Sequence, residues 1–280
     1  MKKNSTLPDP IPEPEPVTCA FCGTELRHKP LMHPIIADRV WLWVPPSRCT
    51  CEKATEHWAR VDEEERQEQE AREAREREIE RRKTVERLFR TSQLPVRFQQ
   101  RTFENFKETP ANKQALEIAL DYAERFEHKF LAGQGLIFTG TVGTGKTHLA
   151  AAITLHLLNQ CRSVILGTVT SLLGRIRQTY DDDARETERQ VLDQLIDVSL
   201  LVIDDLGKEK PTPWVEQMLY EIINARYEAN KPLVITTNTS LKDIEARYKN
   251  TGPAIVSRII EMCQGVRMDG ADWRKSRLQK

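Results

Sequence analysis

No apolar run in the 280 residues approaches the roughly 20 needed to cross a bilayer. The opening stretch from Met1 to Pro8 lacks the apolar core of a secretion signal, so the expected location is the cytoplasm. Excess charge is also missing: 42 Lys and Arg balance 42 Asp and Glu, which leaves no global positive field to attract nucleic acid. Any such contact must come from a local patch. There is no internal repeat, and no heptad is sustained long enough for a coiled coil. Cysteine is scarce, and four of the six fall in two close pairs, Cys19 with Cys22 and Cys49 with Cys51.

What the chain does have is a phosphate loop. Gly140, Thr141, Val142, Gly143, Thr144, Gly145, Lys146 and Thr147 fill G-x-x-x-x-G-K-[ST] directly after the apolar run Leu136–Phe138 and directly before a helical stretch from Thr147 to Asn159. Glycines let backbone N–H groups turn inward around phosphate oxygens, Lys146 adds a point charge, and Thr147 offers its hydroxyl to Mg²⁺. His148 follows at once and joins the candidate nucleotide-binding set. ATP is the expected cofactor, with Mg²⁺.

Fifty-eight residues after Lys146, the run Leu200 to Ile203 ends in Asp204 and Asp205, the pattern of a buried parallel strand tipped by acid. Asp204 would hold Mg²⁺, and Asp205 would orient or deprotonate the attacking water, since phosphoryl transfer needs positioning and charge neutralisation above all. A further short apolar strand, Lys231 to Asn238, ends in polar residues that could touch the γ-phosphate or the water. The segment Ser163–Val169 reads as another strand. Ser171–Tyr180, Glu186–Asp197, Pro213–Glu228 and Gly252–Cys263 read as helices, with Pro213 suited to a first helical turn. This alternation predicts an α/β fold with a parallel sheet covered by helices on both faces, and nucleotide at the strand carboxyl ends.

Taken as a set, the phosphate loop, Ile203-Asp204-Asp205-Leu206-Gly207, Ile235-Thr236-Thr237-Asn238, Arg258 in its Ile-Val-Ser-Arg-Ile context and Gly270 to Arg274 resemble the AAA+ ATPases of the helicase-loader family, DnaC and DnaI. The resemblance runs from about Leu94 to Arg274, and Thr102–Phe106 and Trp214–Tyr227 share in it. It implies an AAA+ P-loop ATPase domain, self-assembly, a hexameric replicative helicase and single-stranded DNA as partners, and slow, switch-like ATP hydrolysis. By the same resemblance Asn238 is the sensor-1 residue, Arg258 an arginine finger acting on a neighbouring subunit, and Arg274 the sensor-2 residue. Many AAA+ enzymes carry Glu where this chain has Asp205. The transposition ATPases resembling IstB, which assemble on duplex DNA, are the alternative, and a plain ATP-dependent adaptor is a third reading.

The amino-terminal third is built differently. Pro8, Pro10, Pro12, Pro14 and Pro16 predict an extended, disordered tail over 1–16. Cys19-x-x-Cys22 and Cys49-x-Cys51 bracket 26 residues, Gly23 to Arg48, and in a reducing cytosol such pairs favour Zn²⁺ over a disulfide. His33 or His28 could replace one thiolate, and redox or incidental cysteines are the competing reading. The loader resemblance points the same way, to a zinc module over 17–55 that grips the helicase. Cys161 and Cys263 sit in apolar surroundings as packing residues. From Asp62 to Lys83, 17 of 22 residues are charged, and pairs such as Asp62–Arg66, Glu68–Arg72, Glu73–Arg77 and Glu78–Arg82 predict a solvated linker helix over 56–92. The alternative is a partner-binding helix whose apolar end, Ile79, Val85, Leu88 and Phe89, docks on the ATPase domain or a partner. The ATPase domain then occupies 93–280. Arg175 and Arg177 are candidate DNA contacts, set against the plainer reading of a solvated helix face.

Overall fold

Four apolar runs alternate cleanly between two hydrophobic layers in the computed structural model, which describes residues 11–32 and 40–276. Pro8 and Pro10 of the expected tail, and His33, lie outside the described residues. By its internal contacts the chain divides into two units, Met1–Glu78 and Ile79–Lys280.

The first unit holds two small antiparallel ribbons, β1 (Val17–Thr18) with β2 (Glu25–Leu26) and β3 (Lys29–Met32) with β4 (Val40–Val44). Most of α1 (Glu52–Thr91) follows. Among the described residues of this unit only Cys19 and Ala54 are buried apolar side chains. The ion pairs along α1 differ from those expected: Arg66 meets Glu63, Arg72 meets Glu76 at 3.0 Å, and Asp62 is taken by Arg48 at 2.5 Å. A helix with carboxylates at both i−3 and i+4 of an arginine offers several near-equal pairings, so spacing alone does not select one. The helix also starts at Glu52 rather than at 56, and its last turns belong to the second unit, where Leu88 and Phe89 pack against the core.

The second unit runs through a 3₁₀ turn (Val96–Phe98), α2 (Lys113–Glu124), α3 (Phe126–Leu131), β5 (Gly135–Thr139), α4 (Lys146–Asn159), β6 (Val164–Thr168), α5 (Val169–Gln178) and α6 (Glu188–Asp197). It continues with β7 (Leu200–Asp204), α7 (Pro213–Glu228), β8 (Leu233–Thr237), α8 (Leu241–Arg247), α9 (Gly252–Met262), β9 (Cys263–Arg267) and α10 (Trp273–Ser276). The five strands form one parallel sheet in the order β6-β7-β8-β5-β9. Ile137, Ile165, Leu201, Ile203, Leu233 and Ile235 face a layer built by α5 to α9. Leu136, Phe138, Val164, Leu166, Leu200, Val202 and Val234 face α2 and α4. Both faces of β5, β6, β7 and β8 are therefore buried, which is why the sequence shows continuous rather than alternating apolar runs there. Strand β9 begins at Cys263, a residue expected to close the preceding helix; its thiol is buried and pushed up to about 12 by that burial. Cys161 is half-buried in a left-handed turn after α4 rather than in the core. No helix among the described residues is long and apolar enough to cross a membrane.

Candidate nucleotide site and thiolate cluster

The parallel sheet brings the carboxyl ends of β5, β7 and β8 side by side, and the chemistry collects there. The phosphate loop links β5 to α4 and needs glycine at all three of its glycine positions, Gly140, Gly143 and Gly145. Gly145 takes a left-handed φ of 104°, with the Phe106 ring where a Cβ would stand, and at Gly143 (φ 82°) a Cβ would run into Asp272. The backbone amides of the α4 amino terminus open onto this loop. Lys146 Nζ donates to the carbonyls of Gly140 at 2.9 Å and Thr141 at 2.6 Å. Burial lowers its pKa, opposed by Asp205 and Asp204.

Thr147 Oγ1 donates to Asp204 Oδ1 at 2.8 Å, and Thr236 Oγ1 donates to the same oxygen at 2.6 Å. Asp204 is only 4% exposed, and burial raises its pKa against the two threonine bonds. Asp205 sits at φ 54°, a strained backbone for a residue with a Cβ. Its N–H donates to Thr236 Oγ1 at 2.9 Å; its carboxylate accepts from Asn238 Nδ2 at 3.2 Å and Lys208 Nζ at 3.1 Å.

A cavity of about 900 Å³ opens over these groups. Val142, Thr144, His148, Asn238 and Arg274 line it with the rest of the loop, and its other walls come from Phe98, Arg101, Phe106, Lys107, Met268 and Trp273. The His148 ring donates from Nε2 to the Thr102 carbonyl at 2.8 Å and packs edge-on against Phe106, so it shapes the wall. Thr141 Oγ1 donates to the Gly270 carbonyl at 3.0 Å, and the Trp273 N–H donates to the Gly143 carbonyl at 3.2 Å; both bonds tie the loop to the segment that carries Arg274. Lys107 lies 4.4 Å from the Trp273 ring centre. Two oxygen donors 2.8 Å apart, one hydroxyl and one carboxylate, fit a hard cation such as Mg²⁺. The glycine cradle, helix terminus and lysine fit a polyphosphate.

Arg258 does not line this cavity. It stands on α9 with its guanidinium against α7. Arg175 is half-buried and committed to Gln194 at 2.6 Å and Glu186 at 3.6 Å, whereas Arg177 is exposed and stacks over Trp214 at 4.5 Å. Sequence reasoning placed Thr236 only in a general polar strand end, without its bond to Asp204, and gave no role to Lys208. It also gave no site role to Phe98, Arg101, Phe106 or Trp273, which converge from opposite ends of the unit.

In the first unit the Sγ atoms of Cys19, Cys22, Cys49 and Cys51 lie within 4.8 Å of one another. The turn that joins the first pair is closed by Gly23 N–H to Cys19 O at 3.0 Å and Cys19 N–H to Thr24 O at 2.9 Å. Hydrogen bonding to Thr24 pulls the Cys22 thiol down to about 6. Cys51 directly precedes α1; a backbone hydrogen bond towards Ala54 lowers its thiol, but burial and the neighbouring Cys22 outweigh that and leave it raised. The Cys49 thiol is pushed up to about 11, so it is Cys22 that carries the thiolate character of the cluster. Four convergent soft donors fit tetrahedral Zn²⁺. His28 is not part of this group, and its Nδ1 is buried without a hydrogen-bond partner.

The sheet order, the loop at β5 and the acid at β7 define a P-loop ATP-binding protein with an AAA+ fold. Residues 53–280 match the model of the IstB-like ATP binding proteins, and the chain belongs to that family. It is 31% identical over 161 residues to the replicative helicase loader DnaC of Escherichia coli K12, a match covering 57% of this chain and 64% of that protein. It is 30% identical over 138 residues to DnaC of Buchnera aphidicola from Schizaphis graminum, covering 49% and 55%. The chain thus spans less than two thirds of the length of these relatives. The crystal structure of the DnaC helicase loader superposes with a TM-score of 0.54 at 26% identity, over 62% of this chain and 99% of that one. DnaI superposes at 0.52 with 21% identity, over 64% and 94%, a likeness of fold.

Proposed function

We propose that this chain is a replicative helicase loader whose AAA+ unit uses ATP as a switch. One observation carries the reading: 31% identity to a replicative helicase loader over 161 residues. The loop amides and Lys146 hold the phosphates of ATP. Thr147 and Asp204 hold Mg²⁺, which when bound neutralises charge on the β and γ phosphates. Asp205, held by Asn238 and Lys208, orients the attacking water, and Arg274 reaches the phosphates from the segment tied to the loop at Thr141 and Gly143. Arg258 serves the site of a neighbouring copy, so hydrolysis is slow until the protein assembles on single-stranded DNA or on its helicase. The thiolate cluster binds Zn²⁺ and shapes the module that grips the helicase.

The test is size-exclusion chromatography with light scattering on this protein mixed with a hexameric replicative helicase from the same host, in ATP and in ADP. The expected result is a stable complex that is lost when Cys19 and Cys22 are both changed to Ser. Absence of a complex in either nucleotide overturns the loader reading. The matching family model then favours the second reading, an IstB-like ATPase that assembles on duplex DNA with a transposase.

A further inference from the structure

Arg258 is held by a stripe of side chains on α7. Tyr220, Asn224 and Tyr227 are spaced i, i+4, i+7, which places them on one face of that helix, and all three are half-buried. Arg258 Nε donates to Asn224 Oδ1 at 2.7 Å, one terminal nitrogen donates to the Ala254 carbonyl at 3.2 Å, and the other donates to the Tyr220 hydroxyl at 3.4 Å. The guanidinium carbon lies 5.1 Å from the Tyr220 ring centre and 5.5 Å from that of Tyr227. Tyr227 is itself fixed by donating to Glu261 Oε1 at 3.0 Å, and Asn224 by donating to Glu228 Oε1 at 2.9 Å.

A guanidinium has five N–H donors in a planar fork. These three bonds use Nε–H and one hydrogen on each terminal nitrogen, so one hydrogen on each terminal nitrogen is left. Two terminal donors are enough to meet two oxygens of one phosphate. An arginine meant only to tie α9 to α7 would gain by spending those donors inside its own fold. Here the aromatic rings and Asn224 fix the plane of the group and leave its outer edge unspent. α9 is tied to α7 without it: Tyr227 donates to Glu261, and the turn leading into α9 is held by Asn250 N–H to Glu216 Oε2 at 3.1 Å and Thr251 Oγ1 to the Glu216 carbonyl at 3.4 Å.

We propose that Tyr220, Asn224 and Tyr227 are positioning residues that preorganise Arg258 as a phosphate-binding fork for the nucleotide of a neighbouring copy of this chain. The inference rests on the reading of Arg258 as acting in trans. Its energetic logic is preorganisation: a free arginine loses rotamer freedom each time it engages, whereas one already fixed in its own subunit loses little at the moment of reaction.

A double-mutant cycle tests it. Asn224→Ala is expected to lower DNA-stimulated turnover about 10-fold, short of the roughly 10³ to 10⁵ that a whole trans arginine is worth. Nucleotide affinity and melting temperature should stay at the wild-type values. In an Arg258→Ala background the same change should do nothing further. Mixing Asn224→Ala subunits with Lys146→Ala subunits, which keep an intact finger, should restore turnover. Tyr220→Phe, which keeps the ring and removes one acceptor, repeats the cycle if Asn224→Ala does not fold. Independently of turnover, the Arg258 Nε–H should exchange slowly with solvent by NMR in the wild type and fast in Asn224→Ala. If Arg258→Ala hydrolyses ATP like the wild type, the trans reading itself falls. If Arg258→Ala is defective but Asn224→Ala is not, or loses as much in the Arg258→Ala background, or resists rescue, the positioning role falls and the trans reading stands.

Discussion

Asp204 is the residue on which stability and chemistry pull hardest against each other. Its carboxylate is nearly enclosed, and burial raises its pKa even though Thr147 and Thr236 both donate to one of its oxygens. A folded pKa above the unfolded one means that the native state binds the proton more readily. The contribution of Asp204 is therefore fully present below the ordinary carboxylate range of about 3.9 and is lost as pH rises through the elevated native value. Asp204→Asn keeps the shape and an acceptor for the two hydroxyls while removing the charge. In nucleotide-free protein it should melt above the wild type at pH 7 to 8, and the difference should close as the pH is lowered towards 4. ATP hydrolysis should be lost in the same variant, since the oxygen that holds the cation is gone. A melting series from pH 5 to 8 checks the sign; a variant that melts lower throughout would show that the charge stabilises the site.

At the scale of the element, α1 separates what a helix can look like from what it is worth. Its Arg and Glu side chains pair along the exposed surface, where water screens the attraction and holding two long side chains in place costs entropy, so such pairs contribute little. The last turns differ, because Leu88 and Phe89 lie against the core of the second unit and the Ser92 carbonyl accepts from Leu166 N–H at 2.9 Å on the free edge of β6. Arg72→Ala should therefore leave the urea midpoint almost unchanged. Changing Leu88 and Phe89 together to Ala should cost on the order of 2–4 kcal/mol, since they are half-buried rather than fully enclosed. The same contrast explains which elements were legible in the sequence. Strands β5, β7 and β8 were visible because burial on both faces writes an unbroken apolar run. Strand β9 was not, because Cys-Gln-Gly-Val-Arg at the sheet edge breaks that pattern and continues from α9 without a gap. In the site, the phosphate loop and Asp204 are local motifs and could be read directly. Thr236 is one hydroxyl in an ordinary strand, and the Phe106 and Trp273 walls meet only after some 165 intervening residues have folded.

At the scale of the whole molecule, the two units rest on different physics. The second buries an extensive apolar core on both faces of its sheet. The first has only Cys19 and Ala54 buried among its described apolar residues, far too little burial to offset the entropy of ordering its ribbons. What its fold does supply is four thiols gathered from two turns that lie 26 residues apart. Zinc binding in small finger peptides is worth roughly 10 to 16 kcal/mol, enough to stand in for the missing core. The chain should accordingly carry one zinc, measured by release into a colorimetric chelator, and Cys22→Ser should release it more readily than wild type. Stripping the metal should abolish the hydrogen-exchange protection of the Cys19 amide, which donates to Thr24, because that turn has no apolar packing to fall back on. The amides of β5 and β7 should keep theirs, since each lies between two buried apolar layers. Protection at Cys19 that survives complete removal of zinc would mean that the thiol cluster is a product of the fold rather than the thing that holds it.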